Sequence, residues 1–525
     1  MAFLRIAAVA SLLAAGPALA RDVTGAFRTT LWQDNGTTTI VPTPQPASST
    51  VSALVRDAHA PGGYRTYPGS FAADGSFTVP GVPKGRYFLA IDNGFGWGPI
   101  LYELSTSRPD MTTLLSQRPD VVFGTQPTPV RLSVSNLEPW TVGGLFTGDL
   151  FQVTSSQAGI DNMRPFRSSG HPPCPAPGAT TFNGDIFWAS GPGLVSGQGL
   201  PDASKGDVVW FQQNPHSTRG TGDATLSIRQ ATRFARLDNL TLLDGVPSDL
   251  TVALQEAPQT GHLLADVRFS QFEGLAAKIH PSARLNQFAF DVFGVPHPVE
   301  FPQPFGAAAV LILLGIDFTQ VTGFVPDTDY GTLSYGEFLD RPLWSKMRQT
   351  YVIYDVGIEV PGAVSPVFWQ GNYVSTAQET SDTALRPISP ALAPVVPSIN
   401  GVEGFAPQSG VGLQPTISWS TPRQGAAYGE DDEGEDGDDD RGVEYNLSVL
   451  QVEVDPFGFA FVSQSVITAN TFRRSFTLPP GLLSAGKWYF ATINVAHAPW
   501  RRLNVGPFLG GPQTSVDVVT AAFSP

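Results

Sequence analysis

An all-β, multi-domain architecture is what this sequence predicts, two β-sandwich modules flanking a larger β domain with one short helix, and three observations predict it. Gly 54 and Pro 47 punctuate the chain at short intervals, Phe 34 and Trp 10 supply the large side chains that β cores bury, and apolar residues recur in short runs with a period of two. At 525 residues with 42% hydrophobic side chains, the chain is long enough for roughly three domains of 100 to 250 residues, each with a core.

Taken in order, the first 20 residues read as a cleavable signal peptide. Arg5 gives the positive start, Ile6 to Ala15 is an apolar run too short to span a bilayer, and Ala18-Leu19-Ala20 is a small-x-small cleavage site. The mature chain is expected to begin at Arg21 and to be periplasmic or secreted. Arg21, Asp22 and Val23 stand where a lipid-anchored protein needs a cysteine. No transmembrane segment is expected. The most apolar later run, Ala307 to Ile316, has half the length of a spanning helix and reads as a buried strand.

Residues 21–100 carry strand-like runs at Val51 to Val55 and Gly85 to Ile91, the latter placing Tyr87, Leu89 and Ile91 on one face. Asp74-Gly75 marks a tight turn before the alternating Phe77-Thr78-Val79. The series Asp74-Gly75-Ser76-Phe77, Pro80-Gly81-Val82-Pro83 and Tyr87 resembles the transthyretin-like, carboxypeptidase-regulatory-like β-sandwich family. That resemblance implies a non-catalytic appended module.

Residues 101–397 form the central β domain, opened by Gln126-Pro127-Thr128-Pro129 and closed by a stiff linker with Pro387, Pro390, Pro394 and Pro397. Gly148-Asp149, Gly184-Asp185 and Gly206-Asp207 each precede an apolar run, so repeated turn-strand units predict an irregular β-propeller or a large sandwich. One helix is expected. Ser270 with Glu273 reads as a capping box, Phe272, Leu275, Ala276 and Ile279 recur at helical spacing, and Pro281 stops the run.

Residues 398–525 place Trp419 at the end of the strand-like Pro415 to Trp419, opposite Tyr445 to Val449, and Tyr489 within the alternating run Gly486 to Ala496. These residues resemble a fibronectin type III domain, which implies a sandwich with Trp419 in its core and Tyr489 as a tyrosine corner. An acidic insertion, Glu430 to Asp440, interrupts it with nine carboxylates in eleven residues.

The formal charge of -15 and the absence of Lys/Arg stripes argue against nucleic acid and anionic membranes as partners. Cys174 is the sole cysteine, so no intrachain disulfide forms, and its neighbour His171 makes too small a set for a metal site. The zinc-protease, nucleophile-elbow, P-loop and dinucleotide motifs are all missing. Three candidate sites follow. Trp188, Trp210, Trp344 and Trp369, with Trp140, are candidates for a sugar-stacking platform, against a core-packing role. Asp327 and Asp329 precede the Gly331 turn, resemble the Asp-box turn of sialidase-type propellers, and are candidate calcium ligands, against a plain polar hairpin. Asp436, Asp438 and Asp440 are further calcium candidates within a solvated loop. The functional expectation is a non-catalytic binding protein for a carbohydrate, a cell-envelope component or another protein. The alternative is an extracellular, glycosidase-like hydrolase with its carboxylates in the central domain.

Overall fold

The computed structural model describes residues 20–33, 36–94, 98–144, 147–165, 173–188, 199–296, 308–321, 325–339, 344–378, 386–420, 443–497, 504 and 513–525. Among these described residues it is mostly β, with 57% in strands, 5% helical and one α-helix. Among the described residues no helix is long and apolar enough to cross a membrane.

The first sandwich buries alternate residues of two sheets against each other. Val23, Phe77, Val79, Val82 and Met111 come from the sheet of Ala20–Trp32, Ser76–Pro83 and Asp110–Ser116, while Val51, Ala53, Leu89, Ile91 and Leu104 come from Thr50–Arg56, Tyr87–Asp92 and Ile100–Leu104. Strands Ile100–Leu104 and Asp110–Ser116 therefore extend this module past the boundary expected at residue 100. The Asp74-Gly75 turn forms as expected. Gly75 has φ +80°, and a Cβ there would lie 2.3 Å from the Thr43 carbonyl oxygen, so only glycine fits.

The central region is built of stacked sheets, the sandwich alternative, and it holds two cores. In one, Thr128–Ser135 with Phe182–Trp188 and Ser248–Ala253 covers Leu150–Ser155, Val209–Asn214 and Arg233–Leu237, enclosing Val130, Leu132, Phe151, Phe211 and Val252. Gly184-Asp185 lies inside the strand Phe182–Trp188 instead of forming a turn, whereas Gly148-Asp149 and Gly206-Asp207 do precede strands. Arg118 ties this core to the first sandwich: buried, it donates from Nε (2.9 Å) and Nη2 (3.1 Å) to both oxygens of the buried Asp207.

In the other core, helix Phe269–Ile279 lays Phe269, Phe272, Leu275, Ala276 and Ile279 on the sheet of Arg284–Pro296, Ala309–Asp317, Trp344–Ile358 and Val367–Gln378. Phe272 meets Phe288 at 5.5 Å and Tyr373 at 5.7 Å. The expected capping box does not form. Ser270 lies one position inside the helix, so its own N–H is an orphan, and Asp327 receives both that N–H (2.8 Å) and the Ser270 hydroxyl (3.0 Å). The expected linker is likewise docked: Ile388 bonds Asp266 and Arg268 backbone, and Ile388, Leu392 and Val395 are core residues.

The last region is again a two-sheet unit. Pro397–Ile399, Thr416–Trp419 and Ser475–Thr477 pair in one layer, and Thr514–Val519, Trp488–His497, Val443–Val454 and Ala460–Thr471 pair in the other. Trp419 packs 5.1 Å from Tyr445 between them. Neither edge of the second layer is left open. Thr514–Val519 pairs with Val367–Gln378, and Ala460–Thr471 pairs in parallel with Ile100–Leu104, so one 16-stranded sheet runs from the central core through this unit into the first sandwich. Glu103 clasps the second junction. Its buried carboxylate accepts from Thr471 Oγ1 (2.6 Å), Phe472 N (3.2 Å) and Arg473 Nε (2.8 Å).

Candidate functional site

The residues singled out by the sequence are mostly taken up by the fold. Trp188 (0% exposed), Trp210 (3%) and Trp344 (5%) are core side chains, as is Trp140, so none presents a ring face to a ligand. Trp210 is enclosed by Phe234, Phe338 and the Arg236 guanidinium, 5.4 Å from its ring. Only Trp369 keeps part of its ring accessible, with Phe490 edge-on at 5.4 Å. Asp327 is the helix cap, and the expected hairpin turn does not form: Asp329 accepts the Gly331 N–H at 2.8 Å inside the strand Thr328–Tyr335, where its register against Gly261–Val267 shifts. Among the described residues no group of three or more His, Cys, Asp or Glu could hold a metal ion. Asp436, Asp438, Asp440 and His171 lie outside the described residues. Cys174 is half-buried, with its thiol 3.3 Å from the Pro175 carbonyl.

What the long sheet does expose is a continuous polar face. Residues directly opposite in adjacent strands share a face, and residues two apart along a strand do too. Phe288, Phe290, Val352, Tyr373, Val516, Val495, Tyr445 and Leu447 all turn to the core side. The other side carries amides, hydroxyls and carboxyls. Tyr351 Oη donates to Asn372 Oδ1 (3.1 Å); Asn372 N (2.8 Å) and Nδ2 (3.3 Å) donate to Asp517 Oδ2; and Asn494 Nδ2 donates to Asp517 Oδ1 (2.7 Å). Asn494 stands opposite Asn446, which stands opposite Asn470 and donates to it at 3.0 Å, and Asn470 stands opposite Tyr102 of the first sandwich. Beside this row, Ser448 and Thr468 share a hydrogen bond of 3.0 Å.

From Asn372 to Asn470 the row crosses five strands, a span of about 19 Å at about 4.8 Å per strand. These side chains are half-buried, save Asn470, which is 8% exposed. Burial pushes the Asp517 carboxyl above the usual range despite its three donors, and burial together with the Asp517 charge raises Tyr351.

Toward the central core the same face continues through Gln349, which donates to Thr376 Oγ1 (3.1 Å), to Asp291 opposite it, and on to Leu313 and the buried Arg229. Asp291 keeps part of its surface open, yet the surrounding protein pushes its carboxyl up to about 7. Among the described residues the Arg229 guanidinium donates to the carbonyls of Gly148 (2.6 Å) and Gly144 (3.2 Å), and burial lowers it to about 10.

The second sandwich closes this end of the face. Asp161 accepts the Ala308 N–H (3.0 Å), Thr154 donates to the Ala308 carbonyl, and the buried amides of Gln212 and Asn214 both donate to the Val310 carbonyl. Gln152 Nε2 and Gln212 Oε1, opposite one another in this seam, are buried without a partner. Sequence reasoning missed the row because its members sit on five separate strands. The alternation of Asn446 and Ser448 with Tyr445, Leu447 and Val449 was its single local trace. No family model matches the chain, and no curated protein matches it.

Proposed function

We propose that this protein is an exported, non-catalytic binding protein whose polar sheet face takes an extended, hydroxyl-rich chain, a carbohydrate above other ligands. The carrying observation is the row Asn372, Asp517, Asn494, Asn446 and Asn470. It offers one amide or carboxylate per strand, and the strand spacing of about 4.8 Å is close to the length of one pyranose unit. A glycan laid across the strands meets a donor and acceptor at each sugar.

The hydrolase reading is less well supported. The two carboxyls raised by burial on this face, Asp291 and Asp517, stand three strands apart, about 14 Å laterally. Retaining and inverting glycosidases hold their pair at about 5 to 9.5 Å.

The modular resemblances and the export signal belong to the same proposal. The pairing order of the last region, its Trp419–Tyr445 contact and the 2.9 Å bond from Ser484 N to Tyr489 Oη support a fibronectin type III-like unit. The Asp74-Gly75 turn and the two-sheet core support a transthyretin-like first module. Arg21, the first residue after the expected cleavage, anchors on the Gly85 (3.2 Å) and Ser105 (2.7 Å) carbonyls.

Retention of the purified protein on immobilised polysaccharides tests the reading. The N446L/N494L pair, which removes two amides from the half-exposed row, is expected to lower affinity at least tenfold with an unchanged circular dichroism spectrum. Binding that survives this pair, or release of new reducing ends from any retained glycan, overturns the proposal.

A further inference from the structure

The turn between Trp344–Ile358 and Val367–Gln378 and the hairpin between Val443–Val454 and Ala460–Thr471 belong to different units, yet they are joined. Val364 N donates to the Gly458 carbonyl at 2.9 Å, and Ser365 forms a parallel bridge with Phe459. A Cβ at Gly458 would stand 3.0 Å from Val364 Cγ1 at φ +90°, so the approach is as close as glycine allows. Asp455 Oδ1 accepts Phe457 N (2.8 Å) and Phe459 N (2.9 Å), which fixes the hairpin and turns that carboxylate back onto its own loop. On this braced support the protein displays Phe457 (81% exposed), Phe368 (75%), Val364 (71%), Phe459 (54%), Phe461 (46%) and Val454 (40%). Clusters of this kind mark interaction sites.

We propose that this pair of turns is a membrane-contact tip that seats its phenylalanines in the interface of a bilayer with zwitterionic headgroups. Residues 360–368 and 456–461 contain no ionisable side chain. The tip therefore offers neither the Arg and Tyr anchors that dominate protein interfaces nor the hydrogen-bonding groups that a sugar requires. Its flanks carry two carboxylates: Glu359 is exposed, and the partly exposed Glu453 accepts from Gln451 Nε2 (3.2 Å) and Lys487 Nζ (3.5 Å). With a formal charge of -15, anionic headgroups repel it. The outward ammonium of a phosphatidylcholine or phosphatidylethanolamine headgroup complements Glu359 and Glu453, while the acyl boundary takes the aromatic rings. This tip is distinct from the polar row, and the inference stands or falls independently of glycan binding.

Flotation of the full protein with vesicles tests it. With phosphatidylcholine and phosphatidylethanolamine vesicles, co-flotation is expected to persist in high salt, to weaken when phosphatidylglycerol is added, and to fall at least tenfold in the F368S/F457S variant. V364K, at a third exposed position, is expected to reproduce the loss if the double variant proves misfolded by circular dichroism. Absence of flotation, or equal flotation by the variants, overturns the proposal. So does a dimer in analytical ultracentrifugation that F368S/F457S dissolves, since a second copy then covers the tip.

Discussion

Asp291 and His280 are two desolvated titratable groups with opposite consequences for stability. Asp291 holds its proton up to about pH 7, whereas an unfolded aspartate loses it near pH 4. Between those values the folded chain carries a proton that the unfolded chain lacks, so this term makes the protein more stable as the pH falls. Asp149 and Asp517, also raised by burial, act in the same direction. His280 acts against them. Its ring packs on Phe405, its Nδ1 accepts the Ser282 N–H at 3.1 Å, and burial lowers it to about 4. The unfolded chain takes up that proton first, near pH 6.5, so the histidine contribution is lost as the pH falls from 6.5 to 4. Asp291→Asn removes one slope and leaves the other. Its melting temperature is expected to drop more steeply than the parent's between pH 6.5 and 4, and to equal or exceed the parent's at pH 8. Parallel melting curves across this range would show that Asp291 is not desolvated.

At the scale of single elements, the helix shows what local sequence does and does not encode. Its length and buried face were legible because Phe272, Leu275, Ala276 and Ile279 repeat with the helical period and Pro281 follows. Its cap was not, because the group that satisfies Ser270 N–H is Asp327, 57 residues away, just before the strand Thr328–Tyr335. Asp327→Ala is expected to cost about 1 kcal/mol in urea denaturation, the usual worth of an N-terminal cap, whereas Asp329→Ala, at an exposed strand position, is expected to cost less than about 0.5 kcal/mol. Equal losses would remove the distinction drawn between these two carboxylates. The strands followed the same logic. Val51 to Val55 and Ala307 to Ile316 were readable from their own residues and form as Thr50–Arg56 and Ala309–Asp317. The tryptophans could not be sorted by sequence, since a ring meant for the core and a ring meant for a ligand are the same residue until the facing layer is known.

At the scale of the whole molecule, the missing information is which edges meet. Each unit read as a separate domain, and nothing near Thr514–Val519 or Ala460–Thr471 indicates that one pairs with Val367–Gln378 and the other with Ile100–Leu104. The candidate row was hidden for a related reason: four of its members stand on strands of the last unit, and Asn372 joins them only through the junction with Val367–Gln378. Cut out as residues 398–525, the last unit loses both neighbours and presents two bare strand edges. Light scattering of that fragment is expected to show self-association; a stable monomer would mean that the edges need no cover. The junctions also set an order of events. Ile100–Leu104 waits for a partner some 360 residues further along the chain, as the Thr471–Glu103 bond separation of 368 illustrates. Loops that long close late, so a nascent chain stays incompletely paired until its final strands have been delivered. Until that partner arrives, the outer edge of Ile100–Leu104 is free to pair with a strand of another chain.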